Sequence, residues 1–150
     1  HNATTPLRPE ARAAMVEALS VVGNPSSVHG FGRAARKVVE DAREQVAALA
    51  GASPAAVVFT GGGTEANALA LNGCGRRRAV VSSVEHASVL QARADVELVP
   101  VDGDGIVDLC ALDEMLAAGT EPAVVSVMLA NNETGVIQPM ARVAEIASRL

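Results

Sequence analysis

Up to Gly51 the apolar residues recur at helical spacing, and beyond it short apolar runs alternate with further helical segments. In residues 9–22, Ala11, Met15, Ala18, Leu19 and Val22 fall on one helical face, with Pro9 suited to the first turn. The stretch Gly23-Asn24-Pro25-Ser26-Ser27 breaks this helix and opens a loop carrying His29, Gly30 and Gly32. A second helix is predicted over residues 33–50. Its stripe is Ala35, Val38, Val39, Ala42, Val46 and Leu49, with Arg36/Glu40 and Lys37/Asp41 paired at i,i+4 on the wet side. Gly51 is placed to stop it.

Beyond that point, residues 57–59, 79–82, 96–101 and 123–130 read as strands. Residues 64–72, 85–94, 108–118 and 140–150 read as helices, with Gly73 closing the first of them. Short apolar strands alternating with helices predict βαβ units on a mostly parallel sheet, hence the α/β class. No internal repeat or low-complexity linker interrupts the pattern. Ligands of such sheets sit outside the carboxyl ends of the strands. Three polar loops leave predicted strand ends, at residues 60–64, 82–86 and 131–135, and their convergence defines a candidate site.

The run Thr60-Gly61-Gly62-Gly63-Thr64-Glu65-Ala66-Asn67 reads as strand end, glycine-rich turn and helix start. Glycines let the backbone approach a ligand closely and take positive φ without steric cost. The first amides of the helix point outward at the positive end of its dipole, which makes a phosphate seat. No Gly-Lys-Ser/Thr follows, so this is not a P-loop. Gly61, Gly63 and Ala66 also fit the dinucleotide spacing, with Glu85 about 20 residues on. A non-catalytic or NAD-type nucleotide module therefore stays open, as does a tight turn with no ligand.

Composition narrows the classes. Of the 150 residues 49% are hydrophobic but only 1% aromatic, so the core is built from Ala, Val, Leu, Ile and Met. A net charge of −5 argues against nucleic acid or an anionic membrane as partner. No apolar stretch approaches the ~20 residues of a membrane span, and the first residues lack signal-peptide character. They also lack an initiator Met, so the chain is expected to be cut at its front. Cys74 and Cys110 suggest neither a disulfide framework nor zinc spacing, which fits a reducing, cytoplasmic setting. Cys74 reads as a loop residue. Lys37 is the only lysine and sits on a solvated face, whereas a Schiff-base lysine needs desolvation.

Two further features carry candidate chemistry. Ser82 and Glu85 have capping-box spacing, placing His86 in the first turn of a helix at a strand's carboxyl end. There the helix dipole favours a neutral imidazole, able to accept a proton or stack on a flat ring. A bare surface histidine is the alternative. Asn131-Asn132 follow the most apolar predicted strand and offer donors and acceptors to a hydroxyl or carboxylate. With Gly135 nearby, ordinary turn chemistry is the other reading.

As a set, His1–Pro6 (HNATTP), residues 24–32 (NPSSVHGFG), 59–67 (FTGGGTEAN), 84–86 (VEH) and 131–135 (NNETG) resemble the cysteine desulfurase family, in its iron–sulfur-cluster and nitrogen-fixation branch. This is a pyridoxal-phosphate (PLP) family with the fold-type-I architecture of class V aminotransferases. The resemblance spans essentially the whole chain. It implies a three-layer, mostly parallel sheet with flanking helices. Residues 1–20 would be an N-terminal arm and helix, and 21–150 the front of an incomplete PLP-binding large domain. It also implies a cytoplasmic homodimer that converts L-cysteine to L-alanine. The sulfur would remain as an enzyme persulfide for a sulfur-acceptor or iron–sulfur scaffold protein. Carried over by position, Gly63 and Thr64 would hold the cofactor phosphate. His86 would stack on the pyridine ring and act catalytically in proton transfer, and Asn132 would bond near the ring hydroxyl. The family often has Ser-Ala where this chain has Gly62-Gly63, a departure that loosens the loop. Its Schiff-base lysine, pyridine-nitrogen aspartate, persulfide cysteine and substrate-clamping arginine all fall beyond the equivalent of Leu150. Neither Cys74 nor Cys110 matches the sulfur-accepting position. The 150 residues alone are therefore expected to be inactive.

Overall fold

The computed structural model describes residues 4–149, so the first three residues of the opening motif and Leu150 lie outside it. The chain divides between Phe59 and Thr60 into two compact units.

In the first unit, α1 (Pro9–Leu19) has Pro9 at its start and ends where the Ser20 hydroxyl bonds back to the carbonyl of Glu17 at 2.6 Å. It stops three residues short of the predicted end, and none of its residues is buried. The next helix, α2 (Gly30–Ala50), starts three residues earlier than its apolar stripe suggests. The reason is its cap: His29 Nδ1 accepts from the amide of Gly32 at 3.3 Å. A Cβ on Gly32 would lie 2.3 Å from the carbonyl oxygen of Ser27, so only glycine lets the preceding loop pack this closely. Gly51 ends α2 in the left-handed conformation at φ 65°, as its position predicts. Lys37 and Asp41 pair at 2.8 Å, but Glu40 bonds Arg43 at 3.1 Å and not Arg36.

Residues 57–59 do not form the expected strand. Among the described residues no strand pairs with them, and a strand exists only through its ladder partner. The segment is held instead by Arg43, which donates to the Val57 carbonyl and lies over the Phe59 ring at 5.1 Å.

The second unit is a three-stranded parallel sheet in the order β2-β1-β3, formed by β1 (Arg78–Ser82), β2 (Val96–Val99) and β3 (Ala123–Ser126). In the central strand Val80 is registered with Glu97 on one side and Val125 on the other. Strand alternation sorts its side chains between two cores. Ala79 and Val81 join Leu71 of α3 (Gly63–Gly73) and Val89 of α4 (Ala87–Leu90). Val80 joins Val99, Leu112 and Leu116 of α5 (Leu109–Ala118), and Val143 and Ile146 of α6 (Met140–Ala147). The unit is thus helix, sheet, helix in three layers. Burying each such Val or Leu contributes about 1.5–3 kcal/mol. Gly73 is the last residue of α3, but the left-handed turn comes two residues later, at Gly75 with φ 72°.

Two predicted strands end early. Residues 101–107 close as a turn bridged from Val101 to Val107, and residues 130–137 as one bridged from Ala130 to Ile137. Among the described residues no helix is long and apolar enough to cross a membrane, and no cluster of side chains could hold a metal ion.

Candidate functional site

The glycine-rich turn enters α3 through Gly62, which sits at the cap position and therefore offers no capping side chain. Its consequence is on the backbone. The Gly61 amide is taken by Glu65 Oε2 at 2.6 Å, and the Thr60 hydroxyl donates to the Gly62 carbonyl at 3.1 Å. Among the described residues, nothing accepts from the amides of Gly62, Gly63, Thr64 and Glu65, nor engages the Thr64 hydroxyl. The left-handed conformation plays no part, since none of the three glycines adopts it. What matters is open space, because a Cβ on Gly62 or Gly63 would meet no atom within 4 Å. The seat is thus narrower than the sequence suggests, with Gly61 excluded, and among the described residues no side chain plugs it. Free amides, a helix positive end and room above them suit a phosphate.

His86 does not lie in the first turn of a ten-residue helix. It is the cap of the four-residue α4, and Glu85 sits outside the helix. The cause is long-range: Glu85 is buried and its carboxylate accepts from the Met128 amide just beyond β3. Burial pushes the Glu85 carboxyl pKa up, and the Met128 hydrogen bond partly opposes this. Glu85 turns inward, so it presents no carboxylate to a ribose. That removes the acidic residue on which the dinucleotide reading depended.

The imidazole of His86 is exposed, and its Nδ1 meets two partners: the Ser88 amide at 3.1 Å and the Ser88 hydroxyl at 2.8 Å. The same hydroxyl receives the Asn67 side-chain amide of α3 at 2.8 Å. Asn67 lies one turn beyond Gly63 on the same face of α3. The helix that carries the free amides is therefore tied directly to the segment that carries His86. Neither Asn67 nor Ser88 was singled out from the sequence. The available signal was Ser88 two residues after a cap position, where a hydroxyl can turn back on its neighbour.

The third loop joins through Asn131. Its Nδ2 donates to the Val84 carbonyl at 3.0 Å, while its Oδ1 accepts from the amides of Glu133 and Thr134. Together with Glu85–Met128, this pins the segment after β3 to the segment after β1. Asn132 itself is exposed and makes no hydrogen bond among the described residues.

Lys37 belongs to the first unit. Its amine contacts both Asp41 oxygens at 2.8 Å, and that hydrogen bond raises its pKa, keeping it protonated. Cys74 caps the end of α3, exposed, with its thiol 3.5 Å from the Leu71 carbonyl.

Comparison with known proteins places the chain in a family. The profile of the family described as Aminotransferase class-V matches residues 1–149. An IscS-like cysteine desulfurase of Mycobacterium tuberculosis is 42% identical over 164 residues, covering 98% of this chain and 42% of that protein. The cysteine desulfurase IscS of Dictyoglomus turgidum is 39% identical, covering 97% of this chain and 40% of its own length. The crystal structure of a NifS-like protein from Rickettsia africae superposes with a TM-score of 0.90 at 32% identity, covering 99% of this chain and 44% of that one. The chain thus spans less than half the length of these relatives. Its parallel sheet with flanking helices is part of the large domain of PLP-dependent fold type I. The chain belongs to the class-V aminotransferase family, and the two curated relatives described above are named cysteine desulfurases.

Proposed function

We propose that the chain is the front part of a PLP-dependent cysteine desulfurase and that the turn into α3 holds the cofactor's phosphate. One observation carries this reading: an uncapped helix start with free amides and open space above them, on a helix that Asn67 and Ser88 link by hydrogen bonds to His86. The amides of Gly62 and Gly63 and the amide and hydroxyl of Thr64 hold the phosphate. Asn132, whose amide is free, bonds near the ring hydroxyl, and His86 provides a flat ring and a proton site. When bound, PLP supplies an electron sink for the carbon skeleton of an amino acid.

The net reaction is L-cysteine plus an enzyme thiol to L-alanine plus an enzyme persulfide. The substrate's carbon–sulfur bond breaks and a sulfur–sulfur bond forms, so carbon is reduced, sulfur is oxidised, and no external oxidant is needed. Neither Cys74 nor Cys110 is assigned the thiol role, and Lys37, paired with Asp41 on a solvated face, is not assigned the Schiff-base role. Both groups, with the substrate clamp, belong to the portion of the relatives outside these 150 residues. On this reading residues 1–20 are an arm and helix, and 21–150 the front of the large domain. The complete protein is a homodimer in a reducing, cytoplasmic setting that passes sulfur to an acceptor or iron–sulfur scaffold protein.

The test uses the complete reading frame. Purified protein is titrated with PLP and with NAD, then given L-cysteine and a reductant. Saturable PLP binding with equal release of alanine and sulfide is expected, and residues 1–150 alone should release neither. Tight NAD binding with no PLP binding would instead establish the nucleotide module.

A further inference from the structure

The orientation of the hydrogen bonds around His86 fixes more than its position. A backbone N–H can only donate, so the Ser88 amide requires a lone pair on His86 Nδ1. The single proton of the neutral ring is therefore on Nε2. Asn67 Nδ2 donates to the Ser88 oxygen, which leaves the Ser88 hydroxyl proton directed at the same Nδ1. Two donors thus converge on one ring nitrogen, and the second is oriented by a side chain on α3. The order runs from Asn67 N–H to Ser88 O–H to His86 Nδ1.

We propose that Asn67 and Ser88 are positioning residues that hold His86 as the Nε2–H tautomer. They lock Nδ1 against the protein and leave Nε2 as the ring's one outward proton site. The tautomer follows from hydrogen bonds within the chain, but its effect on turnover rests on the desulfurase reading. The arrangement makes the hydrogen bonding at Nδ1 responsive to α3. Anything that shifts the helix whose start holds the phosphate moves Asn67, and through Ser88 it moves the imidazole.

Ser88→Ala removes the hydroxyl and keeps the backbone donor, and Ser88→Thr keeps both. Asn67→Ala removes the orienting donor. Asn67→Asp offers only acceptors, so it draws the Ser88 proton away from the ring. The complete protein, with 15N-labelled histidine, is studied by NMR in alkaline buffer, with and without PLP. The expected wild-type spectrum has a protonated Nε2 and an unprotonated, hydrogen-bonded Nδ1. The Nδ1 resonance should move towards that of a non-bonded nitrogen in Ser88→Ala, Asn67→Ala and Asn67→Asp, and return in Ser88→Thr.

In turnover, the first three variants should lose roughly three- to tenfold in kcat, the value of one hydrogen bond, with KM and PLP affinity within about twofold of wild type. A proton on Nδ1 in the wild type overturns the proposal. So does an Nδ1 resonance unmoved by both Asn67 variants. The expected spectrum from a protein that releases no alanine supports the hydrogen-bond chain and refutes the proposed function, so the two readings fail separately.

Discussion

At Gly62–Glu65 successive amides have no acceptor among the described residues, whereas the turn at 131–136 satisfies most of its own. There the Asn131 amide bonds the Val136 carbonyl, Asn131 Oδ1 takes Glu133 and Thr134, and the Asn131 carbonyl takes Gly135. The difference is one residue type at one position. Asparagine opens the second turn and folds its side chain back over the backbone. Glycine caps the first helix and has nothing to fold back. The N-terminus of α5 shows what a side chain does there: Asp108 caps the amides of Cys110 and Ala111 at 2.9 and 3.0 Å. A helix start stays open to a ligand where the chain withholds its own cap.

Giving the first turn the cap it lacks should produce the largest effect. Gly62 has an extended backbone, φ 165° and ψ 176°, and an added Cβ meets nothing within 4 Å, so Gly62→Asp fits. Its carboxylate should cap Thr64 and Glu65 and stabilise the fold by a few tenths of a kcal/mol. PLP affinity should fall about 100-fold, the value of roughly two charge-assisted hydrogen bonds. Unchanged affinity in an absorbance titration of the complete protein would remove the phosphate seat from this turn.

Dismantling the second turn should act on stability instead. Asn131→Ala loses the bonds to Val84, Glu133 and Thr134, at a cost of about 2 kcal/mol in denaturant unfolding. Its neighbour is the control. Asn132→Ala should change stability by less than about 0.5 kcal/mol, since an exposed side chain without partners is lost. If Asn132 touches the cofactor ring, that variant shifts the absorbance of bound PLP while its melting curve stays put. Equal destabilisation by both substitutions would mean the two asparagines share one structural role.

The same contrast explains what the sequence could and could not convey. Local devices were legible: Gly51 stopping α2, the start of α5 after Asp108, and the apolar core of β1. Elements that depend on distant partners were not. Residues 57–59 have strand composition, but no strand among the described residues pairs with them. Residues 85–94 have helical periodicity, yet Glu85 is drawn off to Met128, and Arg93 bonds Asp95 and the carbonyls of Arg76 and Arg77. The apolar stripe read for α1 buries nothing, and its last member, Val22, lies beyond the helix end at Leu19. Periodicity specifies a stripe and is silent about what covers it. Gly63, Thr64 and His86 were singled out from motifs as candidates, but Asn67 and Ser88 meet only because α3 packs on α4 across 21 residues of sequence.

Glu85 supplies the smallest effect and the finest test of how the second turn is anchored. Burial raises its carboxyl pKa in the folded state above the ordinary value of the unfolded chain. Between those two values the folded protein holds a proton that the unfolded chain has released. Stability contributed by Glu85 is therefore present below the unfolded value and lost as pH rises through the folded one. Asp95, Glu97 and Glu145 have the opposite sign, because hydrogen bonds from arginines lower their pKa values. The parent's slope alone is thus a mixture, and only the difference from a variant isolates Glu85. Glu85→Gln keeps an oxygen to accept from the Met128 amide and removes the ionisation. Urea midpoints should coincide for parent and variant in acid and diverge towards neutral pH, with the variant the more stable. Midpoints that stay parallel across the range would mean Glu85 is no more burdened by its charge when folded than when unfolded, and its bond to Met128 would then suffice to account for its burial.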